Sequence, residues 1–166
     1  MDQQVTNQPV AQNVTSVERK GDRELVVTRT FDAEPRIVFK AWSDPELFRK
    51  WWLPDGAPMT LLACDMDVRT GGNYRLEFGV GGQSTEFFGK YLEVVPDERI
   101  VWTNDESDEE GAVTTVTFED QGGKTLLTFH ELYPTREARE EAMTGAAAAL
   151  PTQLDQLDEL LSTISE

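Results

Sequence analysis

With 166 residues, the chain has the length of one domain and can bury enough surface to fold without disulfides or metals. Its net charge of −16 argues against nucleic acid and anionic lipid as partners, because both are bound by neutralising phosphate with Lys and Arg. A single cysteine, Cys64, cannot form an internal disulfide, and no stretch approaches the roughly eighteen consecutive apolar residues of a membrane span.

Residues 1–20 are Gln, Asn, Thr and Val without an apolar period, which predicts a disordered tail ahead of one domain over 21–166. The opening residues also lack the basic and apolar regions of a secretion signal, so a cytoplasmic location is expected. From Arg23 an alternation begins, with Leu25, Val27 and Phe31 on one parity and Thr28 and Thr30 on the other: strand one. Arg29 falls on the apolar parity, so it either snorkels from a barrel edge or faces an interior cavity, and the edge is the expected placement.

Asp32-Ala33-Glu34-Pro35 starts a short helix whose apolar face is Ile37, Val38, Ala41 and Trp42. Ser43-Asp44-Pro45 ends it and starts a second, with Ser43 or Asp44 as cap and Leu47, Phe48, Trp51 and Trp52 as the buried side. Helices this short are not stable alone and must lie against a sheet. Strands then follow over 59–65, 73–79, 85–95, 99–103, 112–119 and 124–132, separated by tight turns, giving an antiparallel run of seven in all. Arg136 to Met143 reads as a helix with a Thr cap. Leu150, Leu154, Leu157, Leu161 and Ile164 repeat at helical spacing, with a kink or break expected between Gly145 and Pro151.

The charge is uneven. Residues 97–166 carry 4 basic against 17 acidic residues, a net of −13, and the first 96 residues a net of −3. A basic protein surface could be steered to the acidic half, although excess acid also serves solubility.

The motifs Arg29-Thr-Phe-Asp-Ala33, Val38-Phe-Lys-Ala-Trp42, Asp44-Pro-Glu46, Trp51-Trp52-x-Pro54, Asp67-x-Arg69-x-Gly71-Gly72, Gly89-x-Tyr91, Val95-Pro-Asp-Glu-Arg-Ile100, Val116-Thr-Phe118 and Leu154-Asp-Gln-Leu157 occur in that order. Together they resemble the bacterial branch of the family named for the activator of the heat-shock-protein-90 ATPase, within the START-like (SRPBCC) superfamily. The resemblance implies an α+β helix-grip fold, a curved antiparallel sheet of about seven strands wrapped around a long C-terminal helix, with two short helices after strand one. It also implies a link to stress response. Trp51 and Trp52 anchor the short helices in this reading, and Asp67, Arg69, Gly71 and Gly72 form an architectural turn. The superfamily includes binders of small hydrophobic molecules, and cyclases. Where relatives carry Gly-Trp before the last leucine run, this chain has Ala149-Leu150-Pro151.

The functional expectation is a non-enzymatic binding protein with an apolar pocket between sheet and C-terminal helix. Trp42, Tyr74, Phe78, Tyr91, Trp102, His130 and Leu150 are its candidate lining, around a cavity of order 300 Å³ or more. A protein-interaction or co-chaperone-like module using the acidic half is the first alternative, and a cyclase- or hydrolase-type enzyme the second. No acid and base pair stands at a recognisable spacing, so no catalytic residue is assigned. His130 is the only histidine and Cys64 its only soft company, so neither a metal nor a cofactor is expected. Asp105, Glu106, Asp108, Glu109 and Glu110 lack the spacing of a calcium loop and read as a solvated turn.

Overall fold

In the computed structural model, residues 15–53, 56, 59–105, 111–144 and 146–164 are described. Residues 1–14 of the expected tail over 1–20, residues 106–110 of the acidic loop and Gly145 lie outside these residues.

The chain runs through β1 (Ser16–Lys20), β2 (Glu24–Phe31), α1 (Pro35–Ser43), α2 (Pro45–Trp51), β3 (Thr60–Met66), β4 (Asn73–Val80), β5 (Gln83–Val95), β6 (Arg99–Thr103), β7 (Val113–Asp120), β8 (Thr125–Leu132), α3 (Arg136–Thr144), a 3-10 turn (Ala146–Ala149) and α4 (Leu150–Ile164). The strands form one antiparallel sheet in the order β1-β2-β8-β7-β6-β5-β4-β3. This is the helix-grip architecture, with eight strands where the sequence predicts seven. The extra strand is β1, placed in the disordered tail by its lack of an apolar period. It pairs with β2 through the backbone from Ser16↔Thr28 to Lys20↔Glu24, and all its side chains are exposed. Arg19 holds it to α3 through two hydrogen bonds of 2.9 Å to Glu140.

Local chemistry explains the short helices. The Asp44 side chain accepts from the Glu46 backbone N–H at 2.9 Å, and Pro45 takes the first helical position, where its missing N–H costs nothing. The C-terminal carbonyls of α2 and the residues after it would be orphans. Side chains of α4 satisfy them: Gln156 Nε2 donates to Trp51 O at 2.9 Å and Leu53 O at 3.0 Å, and Gln153 Nε2 donates to Trp52 O. Pro151 sits in the first turn of α4, after the 3-10 turn, so it starts a new helix instead of kinking an old one.

All the helical apolar faces turn to one side of the sheet. Leu25, Val27 and Phe31 of β2, Val116 and Phe118 of β7 and Leu127 and Phe129 of β8 meet Val38, Ala41 and Trp42 of α1, Trp51 of α2 and Leu154, Leu157 and Leu161 of α4 in one buried core. Arg29 lies on that inner face, not at an edge. It is buried beneath α4, paired with Asp155 and with Asp158 at 3.0 Å.

Candidate functional site

A cavity of about 60 Å³ lies between the two short helices and the β3–β6 end of the sheet. Its roof is Trp42 of α1, Phe48 of α2 and Trp52 just beyond α2. Its floor is Met66, Tyr74, Leu76 and Tyr91, with Ile100, Trp102 and Asn104 along one side and Phe87 at the rim. No charged side chain lines it. Trp52 stacks on Phe48, ring centroids 4.8 Å apart, and Phe87 meets Phe78 edge-on at 5.5 Å.

Two backbone features put these rings on one face. Gly89 opposes Tyr74, and a Cβ there would fall 2.1 Å from Thr103 O and 2.8 Å from the Tyr74 ring. The glycine therefore lets the tyrosine cross β5, where its hydroxyl donates to Thr103 O at 2.7 Å. A bulge in β5, with Tyr91 opposite Trp102 but Glu93 opposite Val101, turns Leu92 out and returns Val94 to the inner face opposite Ile100.

Polar groups gather where Asn104 meets the sheet. Asn104 Nδ2 donates to Ala112 O at 2.8 Å and to Thr114 Oγ1 at 3.2 Å. Thr114 donates to Glu131 Oε2 at 2.8 Å, and the Tyr133 hydroxyl donates to Glu131 Oε1. Burial pushes the Glu131 carboxyl above the usual carboxylate range, although both donors and His130 favour its charged form. Glu131 continues the inward parity of Leu127 and Phe129, and sequence reasoning missed it because its partners come from a neighbouring strand and from beyond the end of β8, so nothing local marks the carboxylate as held inside.

Of the residues the sequence nominates for a pocket, Trp42, Tyr74, Tyr91 and Trp102 come together here. Phe78 is buried behind Phe87. His130 is on the opposite face of β8, its Nε2 2.8 Å from Glu24 Oε1, and Leu150 is buried at the start of α4, outside the cavity wall. The space therefore lies under α1 and α2, not against α4, and it is smaller than expected because the α4 leucines and Gln153 fill the helix–sheet interface. Phe48, Trp52, Met66, Leu76, Phe87, Ile100 and Asn104 complete the wall; the aromatic content of the first two was legible, but their common destination was not.

The remaining nominated residues are placed as follows. Trp51 is fully buried, its Nε1 donating to Ala41 O at 3.0 Å. Arg69 Nε donates to Asp67 at 2.9 Å, Gly71 has φ +90°, and a Cβ on Gly72 would meet Asp67 O at 2.0 Å. Burial pushes the Cys64 thiol up to about 11, so it is not a ready nucleophile. Among the described residues, no three His, Cys, Asp or Glu side chains cluster as a metal site, and no helix is long and apolar enough to cross a membrane.

Solved bacterial structures share this fold. A protein from Rhodobacter sphaeroides superposes with a TM-score of 0.80 at 21% identity, covering 90% of this chain and 99% of its own. A Staphylococcus epidermidis protein gives 0.76 at 27%, covering 91% and 96%. One from Chromobacterium violaceum gives 0.68 at 30%, covering 83% and 96%. No curated protein matches the chain. The family described as Activator of Hsp90 ATPase homolog 1-like protein matches residues 32–162, from the end of β2 almost to the end of α4, and the chain belongs to that family.

Proposed function

We propose that the protein binds a small hydrophobic ligand in the cavity beneath α1 and α2, without catalysing its conversion. The observation that supports this most directly is Phe87. It belongs to the cavity wall and sits on the inner parity of β5, yet it is 39% exposed, so the apolar wall reaches solvent where a ligand could enter. A cavity of about 150 Å³ holds benzene. At about 60 Å³ this one accepts an aromatic ring only as Phe87 or Trp52 swings aside, so binding is coupled to a side-chain movement.

Melting the protein with a panel of small neutral aromatics tests the reading. A ligand at a hundred times its dissociation constant should stabilise the fold by about 2.7 kcal/mol. Leu76→Phe, which adds volume at the cavity floor, should abolish that gain. No stabilisation by any member of the panel would refute the proposal.

A protein-interaction module is the second reading, favoured by the charge imbalance and by the exposed Leu62, Val80 and Phe88 at the β3–β5 end. A basic partner would bind more weakly as salt rises.

A further inference from the structure

At one end of the cavity wall, Tyr74 and Asn104 stand side by side, with Asn104 half-buried and its Oδ1 3.3 Å from the Tyr74 hydroxyl oxygen. Two backbone carbonyls, which can accept but never donate, fix the direction of their hydrogen bonds. Ala112 O lies 2.8 Å from Asn104 Nδ2, so the amide nitrogen must face Ala112 and Oδ1 must face the Tyr74 side. The same nitrogen directs its other N–H to Thr114 Oγ1 at 3.2 Å. Thr103 O takes the one hydrogen of the Tyr74 hydroxyl at 2.7 Å.

Every hydrogen of this pair is therefore committed to the protein. Accepting capacity is not. Asn104 Oδ1 has two lone pairs, and its partner among the described residues is the Tyr74 hydroxyl, whose hydrogen is drawn to the shorter bond with Thr103 O. A ligand carbonyl set against Asn104 would bring lone pairs to lone pairs, whereas a ligand N–H or O–H there forms a hydrogen bond. The Tyr91 hydroxyl, also in the wall, can accept or donate and so tolerates either. With no charged side chain in the wall and a net charge of −16 on the chain, an anion would enter against the field with nothing to offset its desolvation.

We infer that Asn104 Oδ1 orients the ligand, and that the ligand is a neutral flat ring carrying an N–H or O–H donor, of the indole or phenol class. This rests on the binding reading above and names both the ligand's chemistry and the residue that reads it.

The test uses indole and indene, fused bicycles of one shape that differ by an N–H against a CH2. Affinities of the full chain and of Asn104→Ala are measured for both by ligand-observed NMR. The native chain should bind indole at least as tightly as indene, because an N–H taken from water into a wall without an acceptor is penalised. Asn104→Ala should weaken indole by roughly five- to tenfold, the range of one net hydrogen bond, and leave indene unchanged. In the native complex, intermolecular NOEs should run from the indole N–H to the Tyr74 ring protons beside the hydroxyl, and this placement decides the matter should Asn104→Ala fail to fold. If both compounds bind but indene is the tighter, or the variant changes both alike, or the indole N–H has its NOEs at the Phe87 rim, the assignment to Asn104 is wrong while the cavity remains a binding site. If neither compound binds up to its solubility limit, the cavity reading fails and the inference with it.

Discussion

Trp51 and Trp52 are neighbours with different tasks. Trp51 is fully buried and anchors α2 to α1 through its hydrogen bond to Ala41 O and its edge contact with Trp42. Trp52 is half-buried and serves as cavity wall. Trp51→Ala should therefore cost about 3–5 kcal/mol in urea denaturation, the range of a large core truncation. Trp52→Ala should cost clearly less, and equal losses would show that the two rings share one role. Glu131 makes a second residue-scale prediction, through pH. Its folded pKa is raised above the ordinary 4.5, so its contribution to stability is complete below that value and is lost as pH rises through the raised one. Glu140 runs the other way. Its pKa is lowered to about 2, first by the hydrogen bond from Arg19, so its contribution is present above 4.5 and disappears as pH falls toward 2. Glu131→Gln cannot ionise and should remove the decline in stability that the native chain shows above about pH 4.5, leaving the acid limb in place. Denaturation midpoints of both proteins across pH would decide this, and parallel curves above that pH would contradict it.

At the scale of the element, α4 is fastened by charge as well as by its leucines. Arg29 is buried, while Asp155 and Asp158, one turn apart, are 67% and 30% exposed at the side chain. Removing both carboxylates leaves a buried cation uncompensated, which costs about 3–5 kcal/mol, whereas replacing the cation with a hydrophobe of similar length is often nearly neutral. The double variant Asp155→Ala/Asp158→Ala should thus melt well below Arg29→Met. The reverse order would mean that the pair contributes little. Here the limits of sequence reading have a physical cause. The leucine period of α4 was legible, because it follows from helix geometry alone. Arg29 was visible as an anomaly on an apolar parity, but its partners lie 126 and 129 residues away and, between leucines, look like a solvent face. The cavity wall was hidden in the same way: the bulge at Leu92 shifts the inward parity partway along β5, and alternation cannot be carried across it.

For the whole molecule, the order of elements could be read because short strands, tight turns and a helical period each leave a local mark. β1 left none, since its pairing is made by backbone groups and it buries no side chain. The chain is therefore one sheet that never closes, with β1 and β3 as its outer strands among those described. An unclosed sheet is a template for growth, because a second chain can add a strand at either margin. Both margins are poorly suited to that here. β1 presents Glu18, Arg19 and Lys20, whose charges would have to be matched or dehydrated by an arriving strand. β3 carries a register shift between Leu61 and Ala63, which interrupts its ladder with β4 and bends the strand that a newcomer would have to follow. Filament formation by strand addition is thereby opposed at both ends of a sheet that has to stay open to hold its helices.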